Sequence, residues 1–438
     1  MSTAASAPGF GERLTSRLRR AGAFLEWVVA APISFLMPPV TALLRTVGFL
    51  RRSRVQMDGA VRRVLISNPF GNLGDVVLML PAIAAAHERW PSAALEVVVN
   101  DAAADLLLGV PFIESVHRLR HSRLPFLTAY RRCWEVIALY RRAMMQRNYD
   151  VAITPRWGAD LSYGNYLIYL TGAPVRCGYS TSVDRRPGDW DALLTHLAHG
   201  GHGEHESLRD LRVLSRTGLR EEEPRDSDAV NQVIPLLQTI AAFSRQHAGS
   251  AISGLASGRY VVLSPGGSLG RRLWPLERYA AVATDLALPA ETQFVIIGSA
   301  AERGLCQRLA GRLAGRALSL AGETSLFDLV ALIAGATLFL GNDSGPAHIA
   351  GGLGVPTVVV SPFAASCTEE HVNSPLRFRP CGPRVAIVQP ACPLPPCFPT
   401  CSSNDAHCIL QVTVESVVDA ASRLLEKRLH AASKPAIH

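Results

Sequence analysis

The sequence predicts an α/β protein of two Rossmann-like halves. Three observations predict it: buried-strand patterns alternate with helical patterns in both halves, a charged stretch separates the halves, and glycine-containing loops follow strand ends directly. A chain of 438 residues exceeds one ordinary core and suits two. Its 48 % hydrophobic and 18 % charged content exclude a disordered chain.

Residues 1–60 form a basic, apolar extension. Arg13, Arg17, Arg19, Arg20, Arg45, Arg51, Arg52 and Arg54 supply much of the formal charge of +8. Residues 21–50 are largely apolar, but Glu26, Pro32, Pro38 and Pro39 interrupt them, so neither a clean spanning helix nor a signal peptide fits. A segment lying on or dipping into an anionic leaflet fits better, with a span and a plain helical appendage as the other readings. The charge favours an anionic surface as partner. Membrane phosphates suit it more than nucleic acid, because no arginine-and-aromatic platform accompanies the arginines.

Residues 61–220 read as the first Rossmann-like domain. Residues 63–67 are a buried strand, Val76 to Arg89 a helix, and Leu95 to Val99 the next strand. The helical stretch Phe126 to Gln146 and the strand Val151 to Thr154 follow. From Thr217 the composition turns to Glu, Arg, Asp, Ser and Gly, which places an interdomain linker over 221–258.

Residues 259–425 repeat the alternation. Tyr260 to Ser264, Phe294 to Gly298, Thr337 to Gly341 and Thr357 to Val360 are strands. Pro275 to Asp285, Ala301 to Ala314, Ser325 to Ala334 and Pro346 to Leu353 are helices, the third opened by the capping pattern Ser325-x-x-Asp328. Residues 426–438 are a tail.

Ligands of open α/β sheets sit beyond the carboxyl ends of strands, so three loops carry the chemistry. The first runs from Ser67 through Asn68, Gly71, Asn72 and Gly74 to Asp75. Its glycines permit close approach, and the Asp75 carboxylate at the helix start is either a cap or a base. The loop lacks the Gly-Lys-Ser/Thr of a Walker sequence and the G-x-G-x-x-G order, which disfavours a dinucleotide-dependent oxidoreductase. The second contains Ser264, Gly266, Gly267, Arg271 and Arg272; its backbone N–H groups and arginines suit a diphosphate, the alternative being a solvent loop. The third contains Asp343, Ser344 and Gly345, followed by Pro346 at a helix start and His348. It offers a sugar-binding carboxylate and an anion-binding helix N-terminus, or only a helix cap.

Four phrases resemble glycosyltransferase family 9, the lipopolysaccharide heptosyltransferases, in order and spacing. They are Gly74-Asp75-Val76-Val77-Leu78 with Pro81; Ser264-Pro265-Gly266 with Trp274-Pro275-Leu276-Glu277-Arg278; Leu320-Ala321-Gly322-Glu323-Thr324-Ser325; and Gly341 through Pro346 with His348. The resemblance spans about Arg63 to Leu425. It implies a GT-B architecture, two Rossmann-like domains facing across a cleft, with the acceptor held mainly by the first and the sugar nucleotide by the second.

The same resemblance implies an inverting transfer of a heptose or related sugar from a nucleotide diphosphate, ADP above all, to a lipopolysaccharide-core-type acceptor. Asp75 is then the general base. Ser264, Gly266, Gly267, Arg271, Arg272, Thr324, Asp343, Ser344, Gly345 and His348 bind the donor, and Asn68, Gly71, Asn72 and Gly74 form the acceptor-side loop. No cofactor or catalytic metal is implied, and the expected location is the cytoplasmic face of the inner membrane, on its surface. Arg272 stands where the family usually has Lys, and the turn from Ser67 to Leu73 departs from the commoner Arg-x-Ser-Ser-x-Gly. Transfer to a protein hydroxyl, and a membrane-tethered sugar-nucleotide or glycan-binding protein without turnover, are the alternatives.

Nine cysteines are present. Cys133, Cys177, Cys306 and Cys367 are scattered, which argues for a reducing compartment. Cys381, Cys392, Cys397, Cys401 and Cys408 crowd residues 381–408. Cys392, Cys397, Cys401 and Cys408 suffice for a structural Zn or Fe site, with reduced thiols and disulfides as alternatives. The run with His202, His205 and Glu206 lacks the His-Glu-x-x-His order of a metal helix.

Overall fold

Each half of the alternating pattern closes into one six-stranded sheet in the computed structural model. The structure describes residues 39–43, 46, 60–69, 71–120, 128–157, 163–183, 191–216, 226–255, 259–267, 269–313, 315–367, 374–395, 397 and 405–432. Most of the basic extension, including most of the segment 21–50 expected on the membrane, lies outside these residues. Among the described residues no helix is long and apolar enough to cross a membrane.

In chain order the first half contains β1 (Arg63–Asn68), α1 (Leu73–Arg89), β2 (Ala94–Asn100), α2 (Asp101–Leu107), β3 (Ile113–Leu119), α3 (Thr128–Leu139), β4 (Val151–Thr154), α4 (Gly164–Leu170), β5 (Val175–Tyr179) and β6 (His196–Ala198). Then come α5 (Glu206–Leu214), α6 (Asp226–His247), β7 (Tyr260–Ser264), α7 (Leu276–Asp285), β8 (Gln293–Ile296), α8 (Arg303–Gly311), β9 (Ala317–Ser319) and α9 (Leu326–Ala334). The chain ends with β10 (Leu338–Asn342), α10 (Gly345–Gly352), β11 (Thr357–Val360), α11 (Pro375–Phe378), β12 (Val385–Val388) and α12 (Val414–Ala432).

The described residues divide into two units. One takes those up to 69, 92–101 and 117–199; the other takes 71–91, 102–116 and 200 onward. The first sheet has the order β3-β2-β1-β4-β5-β6, with Val64 of β1 in parallel register with Leu95 of β2 and Val151 of β4. Leu65, Val98 and Ala152 from its strands meet Val136 and Tyr140 from the α3 region and Tyr166 and Leu167 of α4 in one buried core. Thr41 is buried beside this core, its hydroxyl 2.9 Å from that of Tyr166.

A charged centre lies inside the first unit. Glu96 on β2 is fully buried and accepts hydrogen bonds from His117 at 2.6 Å, Tyr149 at 2.7 Å and Arg147 at 2.6 Å, and from Arg63. Burial alone would raise its pKa, but the bonds from His117, Tyr149, Arg147 and Arg63 outweigh that and hold the carboxylate at about 2.

The second sheet has the order β12-β11-β10-β7-β8-β9, every neighbouring pair parallel. Val261, Leu263, Phe294, Ile296, Leu338, Leu340 and Val358 form its core with Trp274 and Tyr279. Strand order reverses between β7 and β10, so the chain leaves these neighbours toward opposite flanks and opens a crevice at their carboxyl ends.

Helix α1 is apolar on every side, and a helix without a polar face must be covered all round. Val76, Val77, Leu78, Met79, Leu80 and Ile83 are fully buried, each worth about 1.5–3 kcal/mol. Within the second unit α1 packs against α5, α6 and α10.

The span read as linker, 221–258, differs from expectation: most of it is the 22-residue helix α6. Val233, Leu237, Ile240, Ala241 and Ser244 recur at helical spacing and are buried. The charged run Glu221 to Glu223 before it conceals that stripe, and lies outside the described residues.

Candidate active site

Two helix N-termini meet in the second unit. Gly74, in the first turn of α1, lies against the ring of His348 on α10, so that a Cβ there would stand 2.8 Å from the ring. Gly345, at the start of α10, lies against Leu73, where an added Cβ would be 2.9 Å from that residue's own. Only glycine at both places lets the helix starts approach this closely. Each start carries backbone N–H groups without intrahelical partners and a positive dipole end, so their meeting favours an anion.

Asn342 ties the loop after β7 to the end of β10. Its buried amide donates to the carbonyl oxygens of Pro265 at 2.7 Å and Gly266 at 3.3 Å. Its oxygen accepts from the Tyr279 hydroxyl at 2.9 Å and the Trp274 N–H at 3.4 Å. The short turn Gly270–Arg272 presents the two arginines. Arg272 reaches the Asp343 carboxylate at 3.5 Å and its carbonyl at 3.4 Å, and lies 5.6 Å from the Phe363 ring centre.

Electrostatics mark the same place. Burial pushes the Asp343 carboxyl above the usual range; Arg272 pulls it down and the negative charge of Asp75 pushes it up. Burial, with the nearby His205 and Arg272, lowers His348 to about 3, so its ring is neutral. The Nδ1 of His348, Oγ of Ser344 and Nε of both Arg271 and Arg272 are buried without hydrogen-bond partners among the described residues. Such groups cost free energy unless a ligand answers them.

Asp75 is the third residue of α1, and its Oδ2 accepts the Asn72 N–H at 2.8 Å. It therefore caps the helix.

Sequence reasoning missed the charged group beside Asp75. On α5, Asp210 is buried, and burial, then Glu206 and Asp75, push its carboxyl well above the usual range against the pull of Arg377 and Arg209. Arg377 grips Glu206 with bonds of 2.6 and 3.1 Å, and Arg209 adds one of 3.2 Å. His205 starts α5: its Nε2 donates to the Arg379 carbonyl at 2.8 Å and its Nδ1 accepts from Ser207 at 3.4 Å. Those bonds account for the ring as a helix cap. The only early signal was charge on a short helix, which ordinarily marks a solvated face.

The other predicted residues are distributed as follows. Gly71, Asn72 and Gly74 accompany α1, whereas Asn68 ends β1 in the first unit, buried, with its Oδ1 unpartnered. Ser264 is buried at the end of β7. A Cβ on Gly266 would meet the Glu302 carboxylate at 2.2 Å, while Gly267 lies beside Leu273 and Arg272. Glu302 thus places an acid, unforeseen from sequence, against the supposed phosphate loop. Thr324 precedes the Ser325 cap of α9, half-buried. In the first unit, Asp101, Arg118, Arg120, Glu135 and Arg142 line a cavity of about 480 Å³ at the end of β3.

Of the four-cysteine set, the described residues bring two together. Cys397 and Cys408 are buried and come together with His407, their ligand atoms all within 4.8 Å of one another. Cys392 is exposed and stands outside this trio, and its carbonyl accepts a 3.0 Å bond from Gln411. Cys401 lies outside the described residues.

A family model described as glycosyltransferase family 9 (heptosyltransferase) matches residues 137–406. Lipopolysaccharide heptosyltransferase 3 of Escherichia coli (strain K12) is 25 % identical over 306 residues, covering 68 % of this chain and 81 % of its own length. A solved glycosyl transferase family 9 structure from Veillonella parvula DSM 2008 is similar with a TM-score of 0.64 at 16 % identity, covering 85 % of this chain and 99 % of that one. The E. coli heptosyltransferase WaaC with ADP is similar with a TM-score of 0.61 at 18 % identity, covering 83 % and 99 %. The paired α/β sheets thus have the GT-B fold class.

Proposed function

The chain belongs to glycosyltransferase family 9, the heptosyltransferases, and from that membership we propose that it moves a heptose or related sugar from an ADP-linked donor to a hydroxyl of a lipopolysaccharide-core-type acceptor, with inversion. Asp75 takes the proton of the acceptor hydroxyl. That oxygen forms its bond to the anomeric carbon as the bond to the diphosphate breaks on the opposite face, and ADP leaves. A single displacement inverts the centre.

The diphosphate charge is met by Arg271, Arg272 and the N–H groups at the start of α10, with Ser344 and Gly345 contributing backbone amides. These groups perform the neutralisation a metal would otherwise supply. Asp343 and the neutral His348 bind sugar hydroxyls, and Ser264, Gly267 and Thr324 complete the donor side. The carrying observation is the approach of the α1 start, with Asp75, to the α10 start, with His348 and Asp343, beside Arg272.

On the acceptor side, Asn68, Gly71 and Asn72 shape the loop around Asp75. The basic, apolar residues 1–60 suit work on the cytoplasmic face of the inner membrane.

The test uses the full chain, ADP-heptose and a heptose-deficient lipopolysaccharide core. Wild type should add one heptose mass to the acceptor. Asp75→Asn should lose transfer by about 1,000-fold while ADP-heptose still raises its Tm as in wild type. Undiminished transfer by Asp75→Asn removes the base, and a wild-type Tm indifferent to ADP-heptose removes the donor.

A further inference from the structure

We propose that Cys397, His407 and Cys408 hold a zinc ion that braces the donor-side arginine turn. The two nitrogen–sulfur separations match those of a tetrahedral zinc shell. With Zn–S of about 2.3 Å and Zn–N of about 2.0–2.1 Å, a thiolate sulfur and an imidazole nitrogen on one zinc stand about 3.5 Å apart. Here His407 Nδ1 is 3.5 Å from the Sγ of Cys397 and 3.4 Å from that of Cys408.

Hydrogen bonding alone accounts for the trio less well. A single ring nitrogen has one lone pair or one proton, so it cannot bond both of the sulfurs that converge on it at once. A cation satisfies both sulfurs and the nitrogen together. The Leu394 N–H donates to the Cys408 sulfur at 3.4 Å, the kind of outer bond that orients a thiolate ligand. Two cysteines and one histidine suit zinc, with the fourth position open to water or a further thiolate.

The ion would act on the donor side through the turn Cys408–Gln411, which begins at a ligand and packs on the turn Gly270–Arg272. Arg278 donates to the carbonyls of Leu410 at 2.7 Å and Val412 at 2.6 Å, and the Trp274 indole donates to Val412 at 3.0 Å. The segment after His407 is thereby bonded to the residues that follow the two arginines. This bracing role rests on the donor assignment above; the metal content does not.

The experiment measures zinc by mass spectrometry in the full chain purified under reducing conditions. About one zinc per chain is expected, falling at least tenfold in Cys397→Ser, Cys408→Ser and His407→Ala but not in Cys306→Ala. Cobalt(II) loaded into metal-stripped wild type should give thiolate charge-transfer and tetrahedral absorption bands, a readout independent of whether the variants fold. Metal-free protein without a cobalt spectrum, or a Cys397–Cys408 disulfide in the peptide map, overturns the site. If zinc binds but its removal leaves the Kd for ADP unchanged while ADP still binds, the bracing role is overturned; absence of ADP binding would instead count against the donor assignment.

Discussion

His348 stands over the Cα of Gly74, so closely that a Cβ at Gly74 would come within 2.8 Å of the ring. The ring is buried and has little room to retreat. Gly74→Ala should therefore separate the two helix starts, costing about 1–3 kcal/mol and at least about tenfold in transfer. Gly304→Ala, whose new Cβ would stand 3.8 Å from the tip of the Arg308 guanidinium, should be neutral or slightly stabilising. Denaturant melts and initial rates decide; wild-type behaviour of Gly74→Ala would refute the close approach.

Arg272 combines a contact to Asp343 with a place near the Phe363 ring. Arg272→Ala should raise the donor KM by about 10- to 100-fold, the worth of a charge-assisted bond. Arg272→Lys should recover only part of it, because an ammonium lacks the planar fork. Isothermal titration with ADP reads the same difference without an acceptor.

His348 is held at about 3 by burial, with His205 and Arg272 adding to the effect. Its folded value lies below the ordinary 6.5, so the unfolded chain takes up the proton first. Its contribution to stability is therefore intact above about pH 6.5 and declines as pH falls toward 3. Between about pH 6.5 and 4.5, wild type should lose more Tm than His348→Gln. ADP affinity should show no His348-dependent step between about pH 5 and 8; a step abolished in His348→Gln would contradict the neutral ring.

Glu96 titrates in a lower window. Its folded value of about 2 lies below the ordinary 4.5, so its contribution is complete above about 4.5 and is lost as pH falls toward 2. Glu96→Gln leaves Arg63, Arg147 and His117 facing a neutral amide and should cost about 3 kcal/mol at neutral pH. The gap from wild type should narrow in urea melts at about pH 3. A gap unchanged from pH 7 to 3 would show that packing, and not charge, sets the cost.

Much of the fold is legible because strands buried on both faces leave unbroken apolar runs. The residues Val151 to Thr154, Tyr260 to Ser264 and Thr357 to Val360 were expected as strands and are β4, β7 and β11 within the same limits. Less legible were α6, hidden behind a charged run, and the edge strands β3, β6 and β9, the first because polar residues interrupt its apolar ones and the other two because they are three residues long. Loop identity was readable for Arg272, Asp343 and His348 because each stands just beyond a strand end. Asp210 was not, since it lies within α5 and reaches the site through packing alone; Glu302 follows β8, but its bonds to Ser299 make it part of a helix cap.

What the sequence by itself determined is local: which segments are strands and helices, that Asp75 begins a helix, and that arginines and a polar turn follow β7 and β10. Only the tertiary structure decided which of these meet. It set α1 against α10 through Gly74 and Gly345, drew Asp210 toward Asp75, and brought His407 to Cys397 and Cys408 of the four-cysteine set. Periodicity along a chain records which face is covered, but the partner that covers it is chosen by shape and charge between residues far apart in sequence.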